Sequence, residues 1–357
     1  MAIEEVRHLR KFGHEARLVV IMEEDARGYN YQDLIEDIPV VFLSRSFPTL
    51  LRCSFKFPFF SFFSTFHVTS PFFAPKVLKK SFDVIVSHET YTCFTALRIL
   101  KEKGIPYVAY IHDPISYIIS KVYRKRFLKH AFPLLLPAGK HLDELIVKNS
   151  IVTITNSKST LEKVRKIVKS KKIEVAYPGC FTSDCTPEKR GNYILAFTKW
   201  DIGKNPNMFL DILEKLNKDV KLVVGGFWVQ KEIKRKFISE INKKRLTNQV
   251  KIVEASNEKT IRELYLNARV LVHPIVEAFG MIGLEAAAHG CPFIIPKGSG
   301  VTELFTHGAH GFFPEEGNVD EYVKYVDALI SDERLAWKMG FEARKIAEQY
   351  NWEEHTK

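Results

Sequence analysis

Two carboxylates eight residues apart, Glu277 and Glu285, stand in the segment EAFGMIGLEAAAHGCP (277–292). On their own they would suit a surface loop and a surface helix. Their setting is more particular. Residues 270–273 read as a buried strand, 274–280 as a turn, and 281–290 as a helix closed by Gly290. The small turn residues Ala278 and Gly280 let a ligand approach the backbone. The N–H groups of Phe279, Gly280, Met281 and Ile282 would stand at a helix N-terminus, where a phosphate is favoured. Glu285 falls about one turn into that helix, so a carboxylate flanks the anion site on each side. A carboxylate accepting hydrogen bonds from sugar hydroxyls makes charge-assisted bonds. The spacing suits a ligand with hydroxyls at both ends and phosphate between them, the layout of a nucleoside diphosphate sugar.

FTKWDIGKNP (197–206) places Lys199 and Lys204 just beyond a domain-opening strand, where each lysine taken alone reads as a solvated surface charge. The sequence has no Asp-x-Asp element for a divalent ion, and no His, Cys, Asp and Glu set with metal-ligand spacing. A leaving diphosphate would then be neutralised by side chains and the helix terminus, without a metal. At an effective dielectric near 20, each ammonium–phosphate contact at 4 Å is worth about 4 kcal/mol before desolvation. His112 in YIHDP lies beyond a strand end, and taken alone it reads as a plain loop histidine. His88 and His14 read as structural. No carboxylate is placed as a covalent nucleophile.

The elements that must position these residues repeat as strand, loop and amphipathic helix. Residues 16–22, 84–87, 107–111 and 151–155 read as strands, and a helix is expected from Ser159, which has capping-box spacing to Glu162. YPGCFTSDCTPEKRGN (177–192) is rich in Pro, Gly and polar residues and reads as a linker. New strands follow at 193–197, 221–225, 250–253, 270–273 and 292–295. Buried strands alternating with helices imply parallel sheets. The expectation is an α/β chain of two Rossmann-like domains facing each other across a cleft: an N-terminal acceptor-side domain (1–176), a linker (177–192), a nucleotide-sugar domain (193–345) and the start of a C-terminal helix (346–357). A sheet of this type opens with a strand. Here a helical pattern of Ile3, Val6 and Leu9, closed by Gly13, comes first, so the first strand of the N-terminal domain and its glycine-rich turn are expected to be missing.

Composition narrows the partners. The chain has 357 residues, enough for two cores, and carries a formal net charge of +11 from 53 basic and 42 acidic residues. The surplus suits an anionic partner. No RNA-binding signature or zinc-finger spacing accompanies it, so nucleic acid is not expected. Five scattered cysteines point to a reducing compartment, and no signal peptide or span of ~18 apolar residues is seen, so the expected location is cytoplasmic. Two stretches suggest a membrane face. Residues 57–73 hold eight phenylalanines, and KVYRKRFLKH (121–130) holds five Lys and Arg with no acid. Aromatic insertion plus a basic patch is the two-signal pattern of peripheral binding to an acidic membrane. Core phenylalanines and a solvated helix face are the other reading.

EAFGMIGLEAAAHGCP resembles the signature of the retaining, GT-B-fold glycosyltransferases of family 4, also called group 1. KFGHEARLVV, YIHD, TNSKSTLEKV, YPGC, FTKWDIGKNP and SGVTELFTHGAHGFF follow the family's order across nearly the whole chain. The resemblance implies transfer of a hexose from a nucleoside diphosphate sugar to a glycan or lipid-linked hydroxyl, with retained configuration, on one face, the leaving phosphate helping to deprotonate the acceptor. It gives Glu277 the hydroxyls of the donated sugar and Glu285 the ribose. It gives His112 the donor sugar or the reacting centre, and Lys199 and Lys204 the diphosphate. Backbone N–H groups from Phe279 to Ile282 would meet phosphate or sugar oxygens. No cofactor or metal is implied. Lys199 departs from the family's arginine, keeping the charge and losing the bidentate fork. The alternative is an impaired relative that binds a sugar nucleotide without efficient transfer.

Overall fold

The computed structural model describes residues 1–21, 32–46, 65–78, 82–123, 132–168, 172–183, 190–201, 203–216, 219–254 and 257–357. The chain divides into two compact units, Met1–Tyr177 and Pro178–His355.

The second unit is built on one parallel sheet of β7 (Tyr193–Trp200), β8 (Lys221–Trp228), β9 (Val250–Glu254), β10 (Val270–Val272) and β11 (Phe293–Ile294), in the spatial order β11-β10-β7-β8-β9. β10 is buried at all three residues and β7 at most of its length, as a sheet covered on both faces requires. The helix Asn207–Leu216 seals one face. Its Phe209, Ile212, Leu213 and Leu216 recur at helical spacing and join Ile194, Leu222, Val270 and Ile294 in one core. Each such side chain contributes roughly 1.5–3 kcal/mol of burial. β7 and β8 run three residues beyond the expected 193–197 and 221–225. Trp200 explains the extension: it is 1% exposed, stacks on Trp228 at 5.3 Å, and its Nε1–H donates to the Gly225 carbonyl at 2.8 Å.

The first unit carries its strands in two groups, all parallel. β1 (Leu18–Val20) pairs with β2 (Val40–Phe42), and β3 (Ile85–His88), β4 (Tyr107–Ile111), β5 (Thr153–Thr155) and β6 (Ile173–Val175) form a four-stranded sheet in that order. β2 and β6 are absent from the sequence expectation. The first element is the helix Ala2–Lys11, followed by Gly13 at φ 90°.

Two sequence expectations change in detail. The helix expected from Ser159 runs over Lys158–Arg165 and is capped by Ser157, whose extended backbone lets its side chain accept the Thr160 N–H. The segment 177–192 is partly built into the second unit: the Cys180 N–H donates to the Tyr350 carbonyl and Gly191 N–H to the Asn267 carbonyl, and Arg190 is buried. Of the two basic and aromatic stretches, 57–64 and 124–130 lie outside the described residues. The helix Thr65–Val77 takes up the rest of the first stretch; there Phe72 is exposed while Phe73 packs on Leu43, Ala74 and Leu78. Among the described residues no helix is long and apolar enough to cross a membrane.

Candidate donor site at the strand ends

In the second sheet the chain moves outward from β7 to β8 and β9, then returns to β10 on the other side of β7. The strand order therefore reverses between β7 and β10, and the crevice at the carboxyl ends of those two strands is the natural ligand position of such a sheet. Lys204 leaves from β7 and Glu277 from β10. They meet as an ion pair, Lys204 Nζ donating to Glu277 Oε1.

Local structure aims both. Beyond Trp200 the side chain of Asp201 accepts the Gly203 N–H at 2.9 Å and its carbonyl accepts the Lys204 N–H, a turn of the Asx kind. Glu277 is tied from three sides. Its N–H donates to Ser299 Oγ at 3.2 Å and its carbonyl accepts from Gly300 N–H. Its Oε1 lies 3.0 Å from Nε2 of His273, four residues earlier. His273 is 1% exposed, and its own carbonyl accepts the Tyr322 hydroxyl at 2.9 Å. Burial alone would raise the Glu277 carboxyl. The hydrogen bond from His273 and the charge of Lys204 outweigh it and hold the pKa down at about 2, so Glu277 is ionised throughout the working range.

From Glu277 the chain turns at Gly280, whose φ of 96° suits glycine, into the helix Met281–Ala288. A side chain at Gly280 would meet Val301 and Glu277, and one at Gly283 would come within 2.5 Å of Ile295. The first-turn amides of Met281 and Ile282 have no carbonyl four residues back within the helix. Val301 N–H donates to the Phe279 carbonyl at 2.7 Å, fixing the turn from behind. Glu285 follows one turn on. Burial raises its pKa, and the Tyr265 hydroxyl, donating to Oε2 at 2.8 Å, partly opposes this.

The expected site residues thus divide. Lys204, Glu277, the turn 279–282 and Glu285 run along the β10 end and the helix that follows. Lys199 sits on β7 opposite Phe227 of β8, exposed, with its ammonium 5.7 Å from the Phe227 ring centre. His112 belongs to the first unit, at the carboxyl end of β4. Its ring stacks on Tyr110 at 4.9 Å, and the Asn156 amide nitrogen lies 3.4 Å from Nδ1. Burial, reinforced by the neighbouring His88, lowers its pKa to about 4, so it is neutral at pH 7. His88 is held at 2.7 Å by Glu5 of the first helix, in keeping with a structural role. Sequence reasoning passed over His273 and Tyr265. The four-residue spacing of His273 and Glu277 was a usable signal for the first; nothing local marks the second.

Comparison with known proteins bears on the family and the fold. The profile of glycosyl transferases group 1 matches residues 186–346, and that of glycosyltransferase family 4 matches residues 1–183. An uncharacterized glycosyltransferase, MJ1607 of Methanocaldococcus jannaschii, is 25% identical over 298 residues, 77% of this chain and 73% of its own length. The human alpha-1,3/1,6-mannosyltransferase ALG2 is 22% identical over 304 residues, 78% of this chain and 72% of its own. Among solved structures, Anabaena HepE in complex with UDP and glucose superposes with a TM-score of 0.75 at 17% identity, covering 99% of this chain and 93% of that one. Sucrose-phosphate synthase from Thermosynechococcus elongatus gives 0.79 at 14%, covering 99% and 89%. At these identities the structural likeness speaks for the fold. Profiles that together span nearly the whole chain establish the family: the protein is a glycosyltransferase of family 4, group 1, with the GT-B fold.

Proposed function

We propose that the chain moves a hexose from a nucleoside diphosphate sugar to a hydroxyl of a glycan or lipid-linked acceptor, with retention at the anomeric carbon and without a metal. The observation that carries this reading is the meeting of Lys204 and Glu277 at the switch point of the second sheet, beside the opening turn of Met281–Ala288.

In this scheme the diphosphate takes Lys204 and the helix-opening amides as partners, with Lys199 as a further cation. Glu277, oriented by His273, accepts hydroxyls of the donated sugar, and Glu285 accepts those of the ribose. The bond from the anomeric carbon to the diphosphate oxygen breaks as the bond to the acceptor oxygen forms on the same face. The acceptor proton passes to the departing phosphate. Positive groups aimed at the charge that develops on that phosphate are the principal source of rate. Neutral His112 donates to the donor sugar. The HepE structures hold UDP and UDP-glucose, which makes a uridine nucleotide the first probe to try.

The test is a screen of UDP-, GDP- and ADP-hexoses with EDTA present, read by nucleoside diphosphate release and by the anomeric proton coupling of the product. A retained linkage from one donor is expected. An inverted product, or transfer abolished by EDTA and restored by magnesium, overturns the reading. Peripheral, cytoplasmic membrane attachment through 57–73 and 121–130 belongs to the same proposal. Co-sedimentation with acidic liposomes that survives Lys and Arg to Glu changes in 121–130 counts against it.

A further inference from the structure

Arg190 is a buried cation held by backbone carbonyls. It is 8% exposed, and among the described residues no acid pairs with it. Its guanidinium instead serves backbone carbonyls. Nη1 donates to Tyr265 at 3.0 Å, Leu266 at 2.8 Å and Ala268 at 3.4 Å, and Nη2 donates to His289 at 2.8 Å. The first three lie at the C-terminal end of the helix Glu258–Asn267, the fourth just past the end of Met281–Ala288. Both helices point their negative ends at one cation, which is the favourable sense for a helix dipole. The planar fork fixes the distance and angle between the two ends in a way that a lysine ammonium does not.

Those two helices carry the partners of one hydrogen bond. Tyr265 comes from the first and Glu285 from the second. The Tyr265 ring also stacks on His289 at 5.3 Å, so the clamp, the stack and the hydrogen bond form one closed loop of contacts. A shift of one helix end relative to the other moves Glu285 directly.

We propose that Arg190 is a positioning residue for the nucleotide ribose: by clamping the two helix ends it sets the direction in which Glu285 presents its carboxylate. This rests on the reading of Glu285 as the ribose acceptor given above. The experiment compares UDP with 2′,3′-dideoxy-UDP by calorimetry on the full-length wild type and the Arg190→Lys, Arg190→Gln and Glu285→Ala variants, with thermal melts of each. Hydrogen bonds to a charged acceptor predict that the wild type favours UDP by roughly tenfold or more. Glu285→Ala is expected to bring that ratio near one, and Arg190→Lys to within about threefold, while binding of the dideoxy probe changes little. If the wild type shows no preference, or Glu285→Ala keeps it, the ribose reading fails, and the proposal with it. If Glu285→Ala removes the preference but both folded Arg190 variants keep it, the proposal alone fails. Loss of folded protein in both Arg190 variants also overturns it, because Arg190 then serves the fold and not the ribose.

Discussion

The two units hold their candidate site residues at the carboxyl ends of parallel strands with different amounts of scaffold. The second does so with one five-stranded sheet, two of its strands eight residues long, and with helices pressed close enough that glycine is required. Gly340 of the helix Glu333–Ala347 lies so near the Gly290 carbonyl that an added Cβ would stand 1.9 Å away. The first unit divides its strands between a pair and a group of four, and β1 and β2 are only half buried or exposed. His112 there depends on a local set of polar and ring contacts. Hydrogen bonds aim the candidate residues in both units; in the second they stand on a longer, closely packed sheet.

The largest expected effect is on turnover. Glu277→Ala should lower kcat by about 10²–10³-fold without weakening UDP, since it frees Lys204. His112→Ala should cost about tenfold, less than typical general acid–base removal because its proposed role is a single donated hydrogen bond. Steady-state kinetics with calorimetry check both, and a reversed order would move the centre of the chemistry to the first unit. Next comes packing. Gly340→Ala should destabilise by about 3 kcal/mol, whereas Gly104→Ala in the first unit, at φ 72° with open space around it, should cost about 1 kcal/mol. Urea unfolding of both, with equal losses, would erase the contrast in scaffolding.

Asp143 offers a sharper test of the first unit. It is buried and accepts from Ile115 N–H, Ser116 N–H and Ser116 Oγ, pinning the segment just beyond His112. Asp143→Ala should cost about 2 kcal/mol by leaving those donors unmatched, and should shift the His112 ring resonances, seen by NMR. The smallest effect is on pH dependence. His112 binds a proton at about 4 when folded and near 6.5 when unfolded. The unfolded chain therefore gains protons first as pH falls, and stability drops between about 6.5 and 4. About 1–2 kcal/mol should be lost between pH 7 and pH 5, and His112→Phe should flatten that slope in denaturant titrations.

Much of the second unit was legible. Its strands fell where short apolar runs predicted them, and the turn from Glu277 through Gly280 into a helix was found as drawn, because buried parallel strands and a glycine at positive φ leave strong local marks. The first unit was less so. β2, half buried along its length, and β6, with exposed Glu174 at its centre, did not read as buried strands, and Ser157 outcompeted Ser159 as a cap through backbone geometry that residue type does not reveal. Within the site, Lys204 and Glu277 could be named but not their pairing. Tyr265 and Arg190 could not be named at all, since each acts across a distance in sequence that only the packed helices close.

The Lys204–Glu277 pair has a consequence for how a ligand arrives. Its two charges sum to zero at pH 7, so it offers an approaching diphosphate little long-range attraction despite the chain's surplus of eleven positive charges. A phosphate reaching Lys204 exchanges one anionic partner for another. Capture at this point would therefore be a competition between anionic oxygens for one ammonium.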